Sequence, residues 1–275
     1  MLELEHGYRV VDVHTRLVPE EATGVGGWAV SPDRLEREMH QAGIVRAVVS
    51  PEPAPRRGYV AANNGVARLS VDRPLVAFAR IDGPRSPGSV RTGRLGDVLS
   101  GGREDHHTSP ADVEQYAYDD RFHGFVLDPA ADGIPDEETI ARLEAVDLPV
   151  LVGGGVDAPP SLLAETLLGR SFPVVVAGFG GFPLDRELMD EMIDLLEEYD
   201  GCYLDTSFVR YRRQLERALL EHPDRVLFGS GAPAAHPNVA VMEILTLDVS
   251  EDKLVRTFWK NAARVIDALD PKVRP

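Results

Sequence analysis

The chain has 275 residues, of which 43% are hydrophobic and 27% charged, so it can bury a sizeable core in one α/β barrel or in two smaller domains. Its formal net charge of −16 excludes nucleic acid and anionic membranes as natural partners. Because no apolar run approaches the ~20 residues that span a bilayer, no signal peptide is evident and Cys202 is the single cysteine, we expect a cytoplasmic protein.

Short, β-branched apolar segments alternate with amphipathic helical segments along the chain. The predicted strands are residues 8–14, 44–50, 74–81, 123–128, 148–153, 173–178, 201–206 and 225–229. The alternation indicates βαβ units and a parallel sheet, and eight strands predict a (β/α)8 TIM barrel in one domain over residues 1–275. A doubly wound open sheet is the alternative. Ser31 and Ser109 each precede a proline, which predicts two helix N-caps.

Residues 83–109 interrupt this alternation, because the segment is rich in Gly, Ser and Arg and contains only a short apolar part. It follows the third strand, so in a barrel it lies at the face where active sites form. A lid or anion-contacting loop is one interpretation, and a mobile insertion is the other. At the end of the third strand, we expect Arg80 to pair with Asp82 or with the carboxylate of a ligand.

Seven segments, which occur in order over most of the chain, resemble the amidohydrolase superfamily. The resemblance is to its amidohydrolase-related branch of decarboxylases, lactonases and hydrolases. The segments are residues 12–16, 124–129, 148–153, 174–181, 203–207, 226–233 and 261–264. The resemblance implies a TIM barrel with a divalent metal, usually zinc, at its mouth. In such a site two histidines at positions i and i+2 of the first strand face the same side, and the metal lowers the pKa of a bound water.

Most of the metal-ligand positions that the resemblance implies hold other residues. His14 stands at the first histidine position. The second histidine of strand one, the histidines of strands five and six and the aspartate of strand eight are replaced by Arg16, Gly153, Gly178 and Gly231, respectively. A catalytic zinc needs about three protein ligands, and the fixed charge of Arg16 opposes a cation beside it. We therefore predict that the metal site is lost and that the protein has no cofactor.

Four side chains are predicted to form what remains of the site: His14, Arg16, Asp128 and Asp205. A buried arginine needs a counter-charge, so the first hypothesis is a structural ion pair of Arg16 with Asp128 or Asp205. The second hypothesis is a pocket in which His14, Arg16 and Asp128 bind an anionic ligand or perform metal-free acid–base catalysis.

We expect a degenerate amidohydrolase that acts as a binding, scaffold or regulatory subunit, either as a homodimer or paired with an active relative. The alternative is an enzyme, namely a metal-independent hydrolase or carboxy-lyase in which Arg16 binds the carboxylate of a small substrate. The acidic composition with three lysines suits a high-salt cytoplasm, where screening weakens self-repulsion. A GC-rich genome is the other explanation for that composition.

Overall fold

The computed structural model describes residues 3–17, 31–53, 58–88 and 103–271. Eight strands form one parallel sheet in which each strand pairs with the next one along the chain. They are β1 Val10–Leu17, β2 Ile44–Pro51, β3 Leu75–Arg80, β4 Phe122–Leu127, β5 Val150–Val152, β6 Val174–Val176, β7 Cys202–Asp205 and β8 Val226–Leu227. All eight predicted strands are present, and the fold is the predicted (β/α)8 barrel.

The barrel closes where β1 meets the segment that follows β8. The backbone N–H of Arg16 donates to the carbonyl of Ala232 at 2.9 Å, and that of Gly231 donates to the carbonyl of His14 at 3.0 Å. The regular part of β8 is only two residues long, so these bonds beyond its end complete the ring. These hydrogen bonds fix the backbone of His14 and Arg16, the two β1 residues that are predicted to lie in the site.

Helices connect the strands and cover the outside of the sheet. They are α1 Pro32–Gln41, α2 Val60–Ser70, α3 Pro110–Ala117, α4 Pro129–Asp132, α5 Glu137–Val146, α6 Pro160–Leu163, α7 Arg186–Asp194, α8 Arg212–Glu221, α9 Pro237–Leu245, α10 Glu251–Val255 and α11 Asn261–Val265. One π-helical turn extends α6 and another joins α10 to α11. Within the described ranges, no helix is long and apolar enough to cross a membrane.

The predicted N-caps of α1 and α3 are confirmed. The side chain of Ser31 accepts a hydrogen bond from the N–H of Arg34. Ser109 and Asp112 form a full capping box, in which each side chain accepts from the other's backbone N–H. These bonds satisfy N–H groups that have no partner inside the helix, so they fix where each helix begins.

Side chains on the strands alternate between an inner core, which fills the barrel, and an outer core against the helices. The inner core contains Val11, Val13, Val48, Val76, Phe78, Val126, Leu151, Val175 and Leu227. Ala262, Val265 and Leu269 from the C-terminal helices pack against the same core. The side chain of Asn261 donates to the carbonyls of Pro223 and Val226 at the start of β8. The C-terminal helices therefore close the end of the barrel where the strands begin.

A β-bulge in β1 turns the last side chains of this strand toward the barrel mouth. The register with β2 shifts between Asp12 and Thr15, so that Val13 and His14 together oppose one residue of β2. Val13 therefore points into the inner core, while the next residue, His14, and then Arg16 line a cavity at the mouth. Without the bulge, the alternation of a regular strand would send His14 to the outer face.

The predicted insertion at residues 83–109 is described only in part, because residues 89–102, with two of its four arginines, lie outside the described residues. The two described arginines contact the N-terminal end of α5. Arg85 pairs with Glu137 at 3.1 Å and Arg103 pairs with Asp136 at 2.6 Å. This part of the segment is thus fastened to the barrel by surface ion pairs.

Candidate functional site

A cavity of about 570 Å³ opens at the carboxyl ends of the strands, which is the face where (β/α)8 barrels place their sites. Its charged and ionisable lining residues are His14, Arg16, Arg80, Asp128 and Asp157. The apolar part of the wall includes Val126, Leu151, Ala158, Phe182, Met189 and Phe208. Three of the four predicted site residues line this cavity, and the fourth, Asp205, lies behind His14.

His14 and Asp205 form a buried pair. Nδ1 of His14 lies 3.0 Å from Oδ2 of Asp205 and 3.0 Å from Oγ of Ser207. Oδ1 of Asp205 accepts the N–H groups of Gly178 and Ser207 at 3.1 and 2.7 Å. Burial acts to raise the pKa of Asp205, but His14 and these hydrogen bonds outweigh it and hold that pKa below its usual range. The ionised carboxylate favours the proton on Nδ1, which leaves Nε2 of His14 as the acceptor nearest the cavity.

Gly229 makes room for the His14–Asp205 pair. A Cβ atom at this position would lie 3.0 Å from Cγ of Asp205 and 3.1 Å from Cβ of His14, which is closer than carbon atoms normally approach. Neither Gly229 nor Ser207 is among the site residues predicted from the sequence. The signal that could have found Ser207 is its spacing, because it follows Asp205 by two residues at the end of a predicted strand.

Asp12 is a fully buried carboxyl group just below the site. Its Oδ1 accepts the backbone N–H groups of His14 and Ser230, both at 3.0 Å. Burial raises the pKa of Asp12 to about 6, since the hydrogen bonds from Ser230 and His14 offset only part of the desolvation. Asp12 therefore ties the bulge of β1 to the segment after β8.

Arg16 pairs with neither of the two predicted aspartates. Its Nη1 lies 3.4 Å from Oε2 of Glu52, just beyond β2. Asp205 is bound to His14, and Asp128 caps α4 by accepting a backbone N–H at its start. The predicted ion pair is therefore wrong, and the reason is exposure. About 30% of the Arg16 side chain is accessible to solvent, so it lies at the rim and needs no deeply buried counter-charge.

Arg80 is the most deeply buried cation of the cavity wall, with 1% of its surface exposed. The expected pairing with Asp82 is not formed, because Asp82 accepts the N–H and the hydroxyl of Thr108 at 2.7 and 2.8 Å. Instead, Nη2 of Arg80 lies 2.8 Å from Oδ2 of Asp132. Tyr59 donates its hydroxyl to Asp132 at 2.5 Å and places its ring 5.6 Å from the guanidinium.

The strand-eight position at which the family resemblance implies an aspartate is closed to any side chain. Gly231 has a φ of +71°, a conformation that costs other residues energy. A Cβ atom there would lie 2.3 Å from the ring of Phe208. That ring stands edge-on to His14, with 6.3 Å between the ring centroids. Phe208 thus fills the space beside His14 that a ligand from strand eight would need.

The strand-six position is closed in the same way. Gly178 has a φ of +56°, and a Cβ atom there would lie 2.8 Å from the carbonyl oxygen of Ser207. At Gly153 a Cβ atom would lie 3.2 Å from Cγ of Asp128. Among the residues that the structure describes, no three His, Cys, Asp or Glu side chains converge on a point where a metal could bind. This donor set does not fit the metal that the resemblance implies.

A barrel of eight parallel strands with its pocket at their carboxyl ends defines a (β/α)8-barrel protein. A family model described as amidohydrolase matches residues 101–267, more than half of the chain. The chain therefore belongs to the amidohydrolase family, as the resemblance of its seven segments implied. The comparison with curated protein sequences gives no match.

Solved structures with the same barrel include several decarboxylases. A 2,6-dihydroxybenzoate decarboxylase from Rhizobium has a TM-score of 0.65 at 16% identity, over 95% of this chain and 99% of that chain. A dihydroxybenzoic acid decarboxylase from Polaromonas, with bound manganese and 2-nitroresorcinol, has a TM-score of 0.65 at 16% identity, over 96% and 98%. A putative amidohydrolase from Staphylococcus aureus has a TM-score of 0.64 at 14% identity, over 94% and 99%. These identities support the shared fold and nothing finer.

Proposed function

We propose that this amidohydrolase-family chain binds a small anionic ligand at its barrel mouth without a catalytic metal and serves as a binding, scaffold or regulatory subunit. The observation that carries the proposal is the ring of Phe208, which lies where a side chain at Gly231 would have to begin. In an open site, a lost metal ligand could be replaced by a side chain from another part of the chain. Here the space itself is filled by an aromatic ring, which offers no ligand atom to a metal.

The anionic character of the ligand follows from the wall of the cavity. Arg16 and Arg80 both line it, and His14 presents a nitrogen to it. A carboxylate is well matched to a guanidinium, because the two can form parallel hydrogen bonds. The apolar wall supplies the surface that would cover the rest of a small ligand.

An activity measurement tests the proposal. The Rhizobium neighbour is named for 2,6-dihydroxybenzoate, so this compound is a suitable probe. We expect no release of CO2 from it with manganese, with zinc or with EDTA present. Manganese-dependent decarboxylation that is lost in His14→Ala but kept in His40→Ala, a variant of an exposed histidine on α1, would contradict the proposal.

A second candidate function is metal-independent acid–base catalysis, as a hydrolase or carboxy-lyase on a small carboxylate-bearing substrate. The observation that favours it is the His14–Asp205 pair, because an imidazole held by a buried carboxylate can accept a proton through Nε2. Its test is turnover in EDTA. If the second candidate is right, turnover is lost in both His14→Asn and Asp205→Asn while His40→Ala remains active.

A subunit of this kind needs a partner, which we propose is a second copy of the chain or an active relative. Phe182 and Val156, at the rim of the cavity, expose 63% and 55% of their surfaces and are suited to an apolar contact. Light scattering of the purified chain separates a monomer from a dimer. If the chain is a monomer at all concentrations, the homodimer is contradicted and the partner must be a different chain.

A further inference from the structure

A second cavity, of about 320 Å³, shares no described lining residue with the one at the barrel mouth. Its wall combines the segment after β3, the segment before α3 and the end of α4. Ala131 and Asp132 of α4 line this cavity, whereas Asp128 and Ala130 line the cavity at the mouth. The short helix therefore stands between the two cavities, and the second one is separate from the site at the mouth.

Asp82 places a carboxylate in the wall of the second cavity. The residue is 3% exposed. Its Oδ1 accepts the backbone N–H and the hydroxyl of Thr108 at 2.7 and 2.8 Å. No described residue donates a hydrogen bond to Oδ2, yet this oxygen is not one of the fully buried atoms that lack a partner. Oδ2 is therefore accessible from the cavity and can accept a hydrogen bond from a ligand there.

No cation among the described residues forms an ion pair with this carboxylate. Arg85, in the same wall, pairs with Glu137 at 3.1 Å, and Nδ1 of His106 lies 3.4 Å from Oε2 of Glu104. Burial and the neighbouring His106 lower the pKa of His107, so this imidazole is neutral at neutral pH. A buried carboxylate without a counter-charge is unfavourable, and a cationic ligand in the cavity would supply that charge.

The size and lining of the cavity limit which cation fits. Its volume is at the lower end of the range for ligand pockets, about 300–1,000 Å³, so the ligand has few heavy atoms. Gly83, Pro84, Ala131 and Gly133 line it and suit a short hydrocarbon chain. Among the described residues, no three His, Cys, Asp or Glu side chains converge on a metal position, which disfavours a divalent metal ion.

We propose that this second cavity binds a small primary ammonium ion and that Oδ2 of Asp82 accepts a hydrogen bond from its nitrogen. Such a ligand supplies both the counter-charge and the donor that the carboxylate lacks. A hydrogen bond between charged groups is stronger than a neutral one, and burial of Asp82 limits its screening by solvent. The assignment is independent of the proposed function, because α4 separates this cavity from the barrel mouth.

The test is an NMR titration with ethylammonium chloride at constant ionic strength and neutral pH, followed at the backbone amide of Thr108, which donates to Asp82. Ethanol is the neutral isostere, and tetramethylammonium keeps the charge but has no N–H donor. Wild type should bind ethylammonium at least about tenfold more tightly than either. Asp82→Asn should weaken ethylammonium binding by about ten- to a hundredfold and leave ethanol binding unchanged. The matched control, Asp157→Asn, removes a carboxylate from the cavity at the mouth and should keep the wild-type affinity.

Several results would overturn the assignment. They are equal affinity of wild type for ethylammonium and ethanol, no ethylammonium binding at millimolar concentration, displacement of ethylammonium by equimolar potassium, or a loss of affinity in Asp157→Asn that Asp82→Asn does not share. If Asp82→Asn does not fold, Ala131→Leu decides, because it fills part of the cavity and leaves the carboxylate in place. This variant should lose ethylammonium binding, and wild-type affinity in it would place the ligand elsewhere.

Discussion

The packing of Phe208 against Gly231 predicts a large and specific loss of stability in Gly231→Ala. The new Cβ would start 2.3 Å from the ring of Phe208, and overpacking of this kind costs about 1–3 kcal/mol. The φ of +71° adds about 1–2 kcal/mol for a residue with a side chain. The sum is a decrease of about 2–5 kcal/mol in the free energy of unfolding.

Urea denaturation of wild type, Gly231→Ala, Phe208→Ala and the double variant separates the overpacking cost from the backbone cost. In the Phe208→Ala background the overpacking term disappears and the backbone term remains, so Gly231→Ala should cost only about 1–2 kcal/mol there. The coupling between the two positions should therefore be about 1–3 kcal/mol. Gly201→Ala is the matched control, because its Cβ would meet nothing nearer than 3.7 Å. An equal loss in both backgrounds would refute the idea that Phe208 occupies this space.

Three further predictions concern other buried groups. The pKa of Asp12 rises from 3.8 to about 6 on folding, so this carboxyl group removes stability as pH rises through this range. Asp12→Asn lacks that contribution. In denaturation titrations, the free energy of unfolding of Asp12→Asn should rise by about 3 kcal/mol relative to that of wild type between pH 3.8 and neutrality. A difference between the two proteins that does not change with pH would contradict a raised pKa of this buried carboxyl group. Gly229→Ala should separate His14 from Asp205, which NMR of the imidazole would detect as loss of the hydrogen-bonded Nδ1 proton; an unchanged spectrum would contradict the contact. Burial raises the pKa of the Cys202 thiol to about 12, so Ellman's reagent should label it only in denaturant.

The strands and the orientation of most site residues could be predicted from the sequence. Asp128 shares the orientation of Val126 on β4, and Gly153 shares that of Leu151 on β5, because side chains alternate along a strand. All four residues line the cavity. Periodicity alone was enough here, since β4 and β5 pair in regular register over their last three residues.

The partners of the charged residues could not be predicted in the same way. The partner of Arg16 is Glu52, which lies just beyond β2, and that of Arg80 is Asp132, at the end of the short helix α4. Both carboxylates lie in connecting segments, where sequence periodicity gives no orientation. Phe208 was missed for a related reason, since its contact with the position of Gly231 depends on a loop conformation.

The most direct test of the central claim is the metal content of the folded chain. The purified protein would be incubated with manganese or zinc, desalted and analysed by mass spectrometry of its metals, beside His14→Ala and His40→Ala. We predict no retention above the level of His14→Ala for either metal. Stoichiometric retention in wild type and in His40→Ala, with loss in His14→Ala, would show that the mouth of this barrel still holds a metal and would contradict the account.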